Sequence, residues 1–179
     1  GGDDGTRPVR EFRMTPKDTN NVRLVELGDA PYHDYSKDLV RDYAADKVRA
    51  RAWSQAEGRA ARDVDGLLPE GPATQGHFLY SVRDDSTDAE VGIVWFALRN
   101  PGVGRSVWIY DIIIKENFRR EGYASRTLEL VEDRARELGA KSVELHEFGH
   151  NHGARALYEK MGYTETSITM AKQVGAGDG

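Results

Sequence analysis

Three β-type runs at close spacing, about 77–83, 91–99 and 106–115, precede a helical stripe and a further alternating run, and this succession restricts the fold most. Asp84-Asp85-Ser86-Thr87-Asp88 and Pro101-Gly102-Val103-Gly104 punctuate the three runs, as the turns of two hairpins would. Ala124, Leu128, Val131, Ala135 and Leu138 then recur at steps of four and three, a helical stripe closed by Gly139. Lys141 to Phe148 alternates like a strand, Asn151 to Met161 reads as a helix stopped by Gly162, and Tyr163 to Gln173 reads as a last extended segment. Strands joined first by hairpins and later through a crossover helix require a mixed sheet with helices packed on it.

Upstream, Val22-Arg23-Leu24-Val25-Glu26-Leu27 reads as a first strand, and Leu39, Val40, Tyr43, Ala44 and Val48 mark a helical region. Ser54-Gln55-Ala56-Glu57 has the form of a capping box, opening a second helix that ends near Leu68-Pro69. The expected order is therefore β-α-α-β-β-β-α-β-α-β, an α/β fold of the mixed α+β type. Residues 1–20 lack a hydrophobic period and read as a disordered segment, 21–174 as a single domain, and 175–179 as a flexible tail.

Composition narrows the function classes. The 179 residues suit one domain with a sizeable core, and no stretch of ~20 apolar residues is present to span a membrane. The acidic, Gly-rich start differs from a signal peptide, so a cytoplasmic protein is the expectation. A net charge of −5 argues against a general nucleic-acid binder. With no cysteine, the chain has no disulfide, thiolate metal site or cysteine nucleophile.

The run Ile112-Ile113-Ile114-Lys115-Glu116-Asn117-Phe118-Arg119-Arg120-Glu121-Gly122-Tyr123-Ala124-Ser125 carries the most chemistry. An apolar strand enters a short loop and then a helix whose first residues are small. Unpaired N–H groups at a helix N-terminus form an anion site. Gly122 and Ala124 allow close approach of a phosphate, and Arg119 and Arg120 add positive charge. Neither the G-x-x-x-x-G-K-[ST] loop nor a helix-opening G-x-G-x-x-G is present.

Here the chain resembles the GCN5-related N-acetyltransferase (GNAT) family. Arg119-Arg120-Glu121-Gly122-Tyr123-Ala124 matches its [QR]-x-x-G-x-[GA] loop. Asn151-His152-Gly153-Ala154-Arg155-Ala156-Leu157-Tyr158-Glu159-Lys160-Met161-Gly162-Tyr163 fits its second signature. One helix and one strand separate the two, as in the family. Glu121 departs from the commoner Lys, Arg or Gly, and is expected to face solvent.

The resemblance implies acetyl-CoA as the donor and a sheet splayed at its centre, with Ile112, Ile113 and Ile114 pairing the pantetheine arm. It implies the pyrophosphate on Arg119 to Ser125, Asn151 helping to hold the cofactor arm, and Tyr158 both touching the cofactor and protonating the departing thiolate. A backbone N–H of the strand would polarise the thioester carbonyl. The family's usual base positions match Trp108 and Tyr110, neither of which is a base. The position used by ribosomal-protein alanine acetyltransferases is His146, which is the expected base, with Asp111 and Glu144 in reserve. The expected acceptor is the primary amine of a small molecule; alternatives are protein or peptide acetylation and a catalytically silent acyl-CoA-binding module. A wall of the acceptor pocket is expected from Pro31 to Leu68, and its aromatics Tyr35, Tyr43 and Trp53 are expected to pack in the core rather than to contact substrate. A homodimer is compatible with the family and left open.

His146-Glu147-Phe148-Gly149-His150 is literally H-E-x-x-H. Zinc chemistry needs both histidines on one helical face. This segment follows an alternating run and contains Gly149, so no metal is expected.

Overall fold

The computed structural model describes residues 10–13, 20–49, 63–100, 104–146, 152–168, 170, 172, 174 and 175. The chain divides into two compact units, Gly1–Phe148 and Gly149–Gly179.

In the first unit, β1 (Glu11–Arg13), β2 (Val22–Glu26), β3 (His77–Asp84), β4 (Glu90–Arg99), β5 (Ser106–Ile114) and β6 (Ser142–Leu145) form one sheet in that spatial order. Neighbours from β1 to β5 are antiparallel, and β6 joins β5 in parallel. Helix α1 (Asp29–Arg49) follows β2, and helix α2 (Tyr123–Glu137) supplies the crossover from β5 to β6. Residues 63–67 form a helical turn, and short 3-10 segments lie at Gly71–Ala73 and Glu116–Phe118.

Both faces of the sheet are covered, which explains why β4 reads as nearly continuous apolar sequence rather than as alternation. On one face Leu27, Tyr35, Leu39, Val64, Leu68, Leu79 and Trp95 make a cluster that joins α1 and the 63–67 turn to β3 and β4. On the other, α2 buries Leu128, Val131 and Ala135. Its end is closed by Gly139 at φ +75°, with Gly139 N–H bonded to Arg136 O and Ala140 N–H to Ala135 O, so the expected stop is a left-handed cap.

Three features differ from the sequence reading. Helix α1 opens at Asp29, ahead of the apolar residues that signalled it, because Tyr32 and Tyr35 continue the Leu39 stripe backwards. A strand appears at Glu11–Arg13, where no period was visible: its one apolar residue, Phe12, lies edge-on to Tyr80 at 5.4 Å and under the Arg134 guanidinium at 3.9 Å. The strand expected over Tyr163 to Gln173 is not formed by the described residues 163–168, which lie outside any ladder. The capping box at Ser54 to Glu57 lies outside the described residues, as do Trp53 and the side chain of Tyr43.

Candidate active site

Strand β5 is paired on both sides for only half its length. Its parallel register with β6 runs from Ser106↔Ser142 to Ile109↔Leu145 and stops. The other edge stays paired to β4 as far as Gly92↔Ile114. From Tyr110 to Ile114, β5 therefore offers a backbone edge that β6 does not cover. The splay expected from the family resemblance lies at this point.

A bulge coincides with the divergence. Trp95 pairs with Asp111 and Phe96 with Ile109, which leaves Tyr110 as the extra residue on β5. The α1 face of the sheet gains an aromatic surface there. Tyr110 stacks on Trp95 at 4.4 Å and on His77 at 5.7 Å, and Arg99 lies 3.9 Å above the Trp108 ring. Trp95 Nε1–H donates to His77 Nδ1 at 3.0 Å. Burial, with Arg99 adding to it, holds the His77 imidazole below its ordinary pKa and so favours the neutral ring that this bond requires.

Asp111, a reserve base in the sequence reading, accepts a hydrogen bond from Tyr35 at 2.7 Å. Tyr35 is 4% exposed, and burial together with the Asp111 charge pushes its hydroxyl well above the usual phenol range. Tyr35 thus belongs to the core cluster, with its hydroxyl on Asp111. Beside it, α1 and the ends of β4 and β5 enclose a cavity of about 550 Å³, lined by Asp34, Asp38, Tyr35, Glu90, Gly92 and Lys115 among others. Lys115 pairs with Glu90 at 3.0 Å, and Ser81 Oγ–H donates to Glu90 at 2.6 Å. Burial works against ionisation of Glu90, but these two contacts outweigh it and keep its pKa low. Asp34, Tyr35 and Asp38 fall in the Pro31 to Leu68 stretch expected to supply a wall, while Glu90, Gly92 and Lys115 join them from distant parts of the chain, which pattern could not show.

The loop after β5 is shaped by its backbone. Arg119 Nε–H donates to Ile114 O at 3.0 Å, Arg120 has φ +63°, and Gly122 has φ +86° at the N-cap of α2. A side chain at Gly122 would meet none of the described residues within 4 Å, so they leave the space before the helix open. The first helical bond runs from Arg126 N–H to Gly122 O, which leaves the N–H groups of Tyr123, Ala124 and Ser125 without an intrahelical carbonyl. Glu121 is exposed, and its carbonyl accepts from the Asn20 amide. These residues form a cradle suited to an anion.

Among the proposed bases, His146 is exposed and follows directly on the last paired residue of β6, while Glu144 is exposed within that strand. Glu147 to His150 lie outside the described residues, as does Asn151, and no cluster of metal-ligating side chains occurs among the described ones. Tyr158 lies in the second unit, on helix α3 (His152–Lys160). It is half-buried, its ring 5.8 Å from that of Tyr163, whose N–H bonds to Tyr158 O across Gly162 at φ +91°.

Comparison with known proteins shows the class of this fold to be an acyltransferase. The acetyltransferase (GNAT) family profile matches residues 32–163. The chain is 31% identical to the uncharacterized N-acetyltransferase YycN of Bacillus subtilis, over 86% of this chain and 99% of that protein. It is also 31% identical to the uncharacterized N-acetyltransferase YdgE of the same organism, over 84% of this chain and 97% of that protein. The YycN crystal structure superposes with a TM-score of 0.82 at 30% identity, covering 87% of this chain and all of that one. AAC(6')-Iy, solved with the bisubstrate analogue CoA-S-monomethyl-acetylneamine, shares the fold with a TM-score of 0.56 at 13% identity, covering 87% and 98%. The chain belongs to the GNAT acetyltransferase family. It is an enzyme of a family that uses acetyl-CoA, and no helix among its described residues is long and apolar enough to cross a membrane.

Proposed function

We propose that the protein transfers an acetyl group from acetyl-CoA to the primary amine of a small molecule, by direct attack and in the cytoplasm. The observation that carries this reading is the edge of β5 that stays uncovered among the described residues, running into the N-terminus of α2. The AAC(6')-Iy complex with a CoA bisubstrate analogue supports it as a precedent in the same fold.

Acetyl-CoA, when bound, supplies the activated acetyl group as a thioester. The amides of Tyr123, Ala124 and Ser125 hold its diphosphate, with Arg119, Arg120, Glu121 and Gly122 forming the loop. The β5 edge at Ile112, Ile113 and Ile114 aligns the pantetheine arm, Asn151 steadies it, and a β5 amide stabilises charge growing on the carbonyl oxygen. An alkyl ammonium with a pKa near ~10 must lose a proton before it can attack, and His146 accepts that proton. The amine nitrogen then bonds the acetyl carbon as the C–S bond breaks. Tyr158 gives its proton to the departing sulfur, and the second proton shed by the acylated nitrogen restores the Tyr158 hydroxyl.

A panel of dipeptides, polyamines, aminoglycosides and amino acids with acetyl-CoA, followed by thiol release, tests the acceptor class. The chain has no cysteine and adds no thiol signal of its own. Acetylation of peptides alone would replace the small-molecule reading. Tyr158→Phe is expected to lower turnover at least ~tenfold with little change in acetyl-CoA affinity; turnover equal to the parent's would refute the acid assignment.

A further inference from the structure

The residue that opens helix α2 is tied to a hairpin far from it in sequence. Tyr123 is 6% exposed, and its hydroxyl donates to Asp84 Oδ2 at 2.7 Å. Asp84 is 5% exposed and ends β3. Its other oxygen, Oδ1, accepts from Ser86 N–H at 2.8 Å, Ser86 Oγ–H at 2.6 Å and Thr87 N–H at 2.9 Å. One carboxylate therefore does two jobs: Oδ1 folds the β3–β4 turn, and Oδ2 holds the first residue of the helix. Burial opposes ionisation of Asp84, but the bonds from Ser86, Tyr123 and Thr87 overcome it and hold the carboxyl far below the ordinary range.

Tyr123 is fixed from other directions as well. Its carbonyl accepts from the fully buried Thr127 hydroxyl at 2.8 Å, and its ring meets Phe118 edge-on at 5.9 Å. Outside the helix, Asn20 bonds to Glu121 O and Arg126 to Asn21 Oδ1, so the segment leading into β2 braces the same loop. The N–H groups of the first helical turn move with the Tyr123 backbone. Fixing that residue fixes the direction in which they point.

We propose that Asp84 and Tyr123 are positioning residues for the cofactor, the hairpin carboxylate holding the first turn of α2 so that its amides stay aimed at a diphosphate. The inference rests on the reading of that turn as the acetyl-CoA diphosphate site. Neither side chain touches the diphosphate. Their effect is to spare binding the cost of ordering the loop.

The test compares acetyl-CoA with S-acetylpantetheine, a donor that keeps the thioester and lacks the diphosphate. Tyr123→Phe and Asp84→Asn are expected to lower kcat/KM for acetyl-CoA about tenfold, the effect of losing one hydrogen bond to a charged group. The loss should fall on KM, with kcat and the acceptor KM unchanged. With S-acetylpantetheine both variants should match the parent. Ser86→Ala, which removes a bond to Oδ1 but leaves the Tyr123 contact, should keep the parent's KM for acetyl-CoA while melting lower. Equal losses with both donors, or an unchanged KM for acetyl-CoA in Tyr123→Phe, would overturn the proposal. If Asp84→Asn does not fold, the conservative Tyr123→Phe variant decides alone. A parent that shows no preference for acetyl-CoA over S-acetylpantetheine would instead refute the underlying assignment of the diphosphate site.

Discussion

Gly92→Ala tests whether β4 and β5 are as closely apposed as the site requires. Gly92 lies opposite Ile114, and a Cβ built on it would stand 2.1 Å from Ile113 O and 3.1 Å from Ile113 C. The obstacle is backbone, so no rotamer change relieves it, and the two strands must separate locally by roughly 1 Å. A ladder bond near 2.9 Å stretched that far is lost. Overpacking contributes about 1–3 kcal/mol and each lost ladder bond about 1 kcal/mol, a total of about 2–4 kcal/mol. At about 2–4 °C per kcal/mol for a chain of this size, the melting temperature should fall by about 5–15 °C. Acetyl-CoA affinity should fall as well, because pushing Ile113 away from β4 also moves the opposite edge of β5, the one proposed to align the pantetheine. Gly66→Ala is the control: it sits in the 63–67 helical turn, a Cβ there meets none of the described residues within 4 Å, and it should be neutral or stabilising by up to about 1 kcal/mol. Thermal unfolding followed by circular dichroism reads both variants. A Gly92→Ala melting temperature within about 2 °C of the parent would refute the argument from close approach.

Two further outcomes concern pH. Asp84 has a folded pKa below its unfolded value of ~3.9, so its contribution to stability is present above that value and is lost as pH falls towards the folded pKa. Asp84→Asn should therefore reduce stability at neutral pH and flatten the acid limb of a stability–pH profile; an acid limb as steep as the parent's would contradict this. The His77 pKa is likewise depressed in the folded state, so its contribution is present above the unfolded value of ~6.5 and is lost as pH falls through the lower folded pKa. Its ring should titrate by NMR below that value, with the Trp95 indole N–H resonance shifting in step as the acceptor at Nδ1 is protonated; a His77 titration at or above ~6.5 would sink the assignment.

Short-range pattern carried much of what this chain becomes. The three central strands, the α2 stripe closed by Gly139 and the Arg119 to Ser125 loop were all legible, because each depends on periods and turn residues that act within a few positions. The family followed from two local signatures. What pattern could not supply were relations between distant residues. The hydroxyl of Tyr35 meets Asp111, that of Tyr123 meets Asp84, and Tyr110 bulges where β6 departs. None of these leaves a periodic trace, since a single hydrogen bond or one extra residue does not alter the spacing of apolar side chains.

The roles of Tyr123 and Tyr35 show the division most clearly. By sequence, Tyr123 is a variable place in a phosphate loop and Tyr35 a core aromatic in the stretch expected to wall the acceptor pocket, with no partner named for either hydroxyl. Packing placed both hydroxyls against carboxylates, in surroundings where an unpaired polar group is costly. The chain's local chemistry thus determined which elements form and which loop can receive an anion. Only the tertiary structure decided which distant residues meet that loop and at which residue β6 leaves β5, because both depend on where separate segments meet.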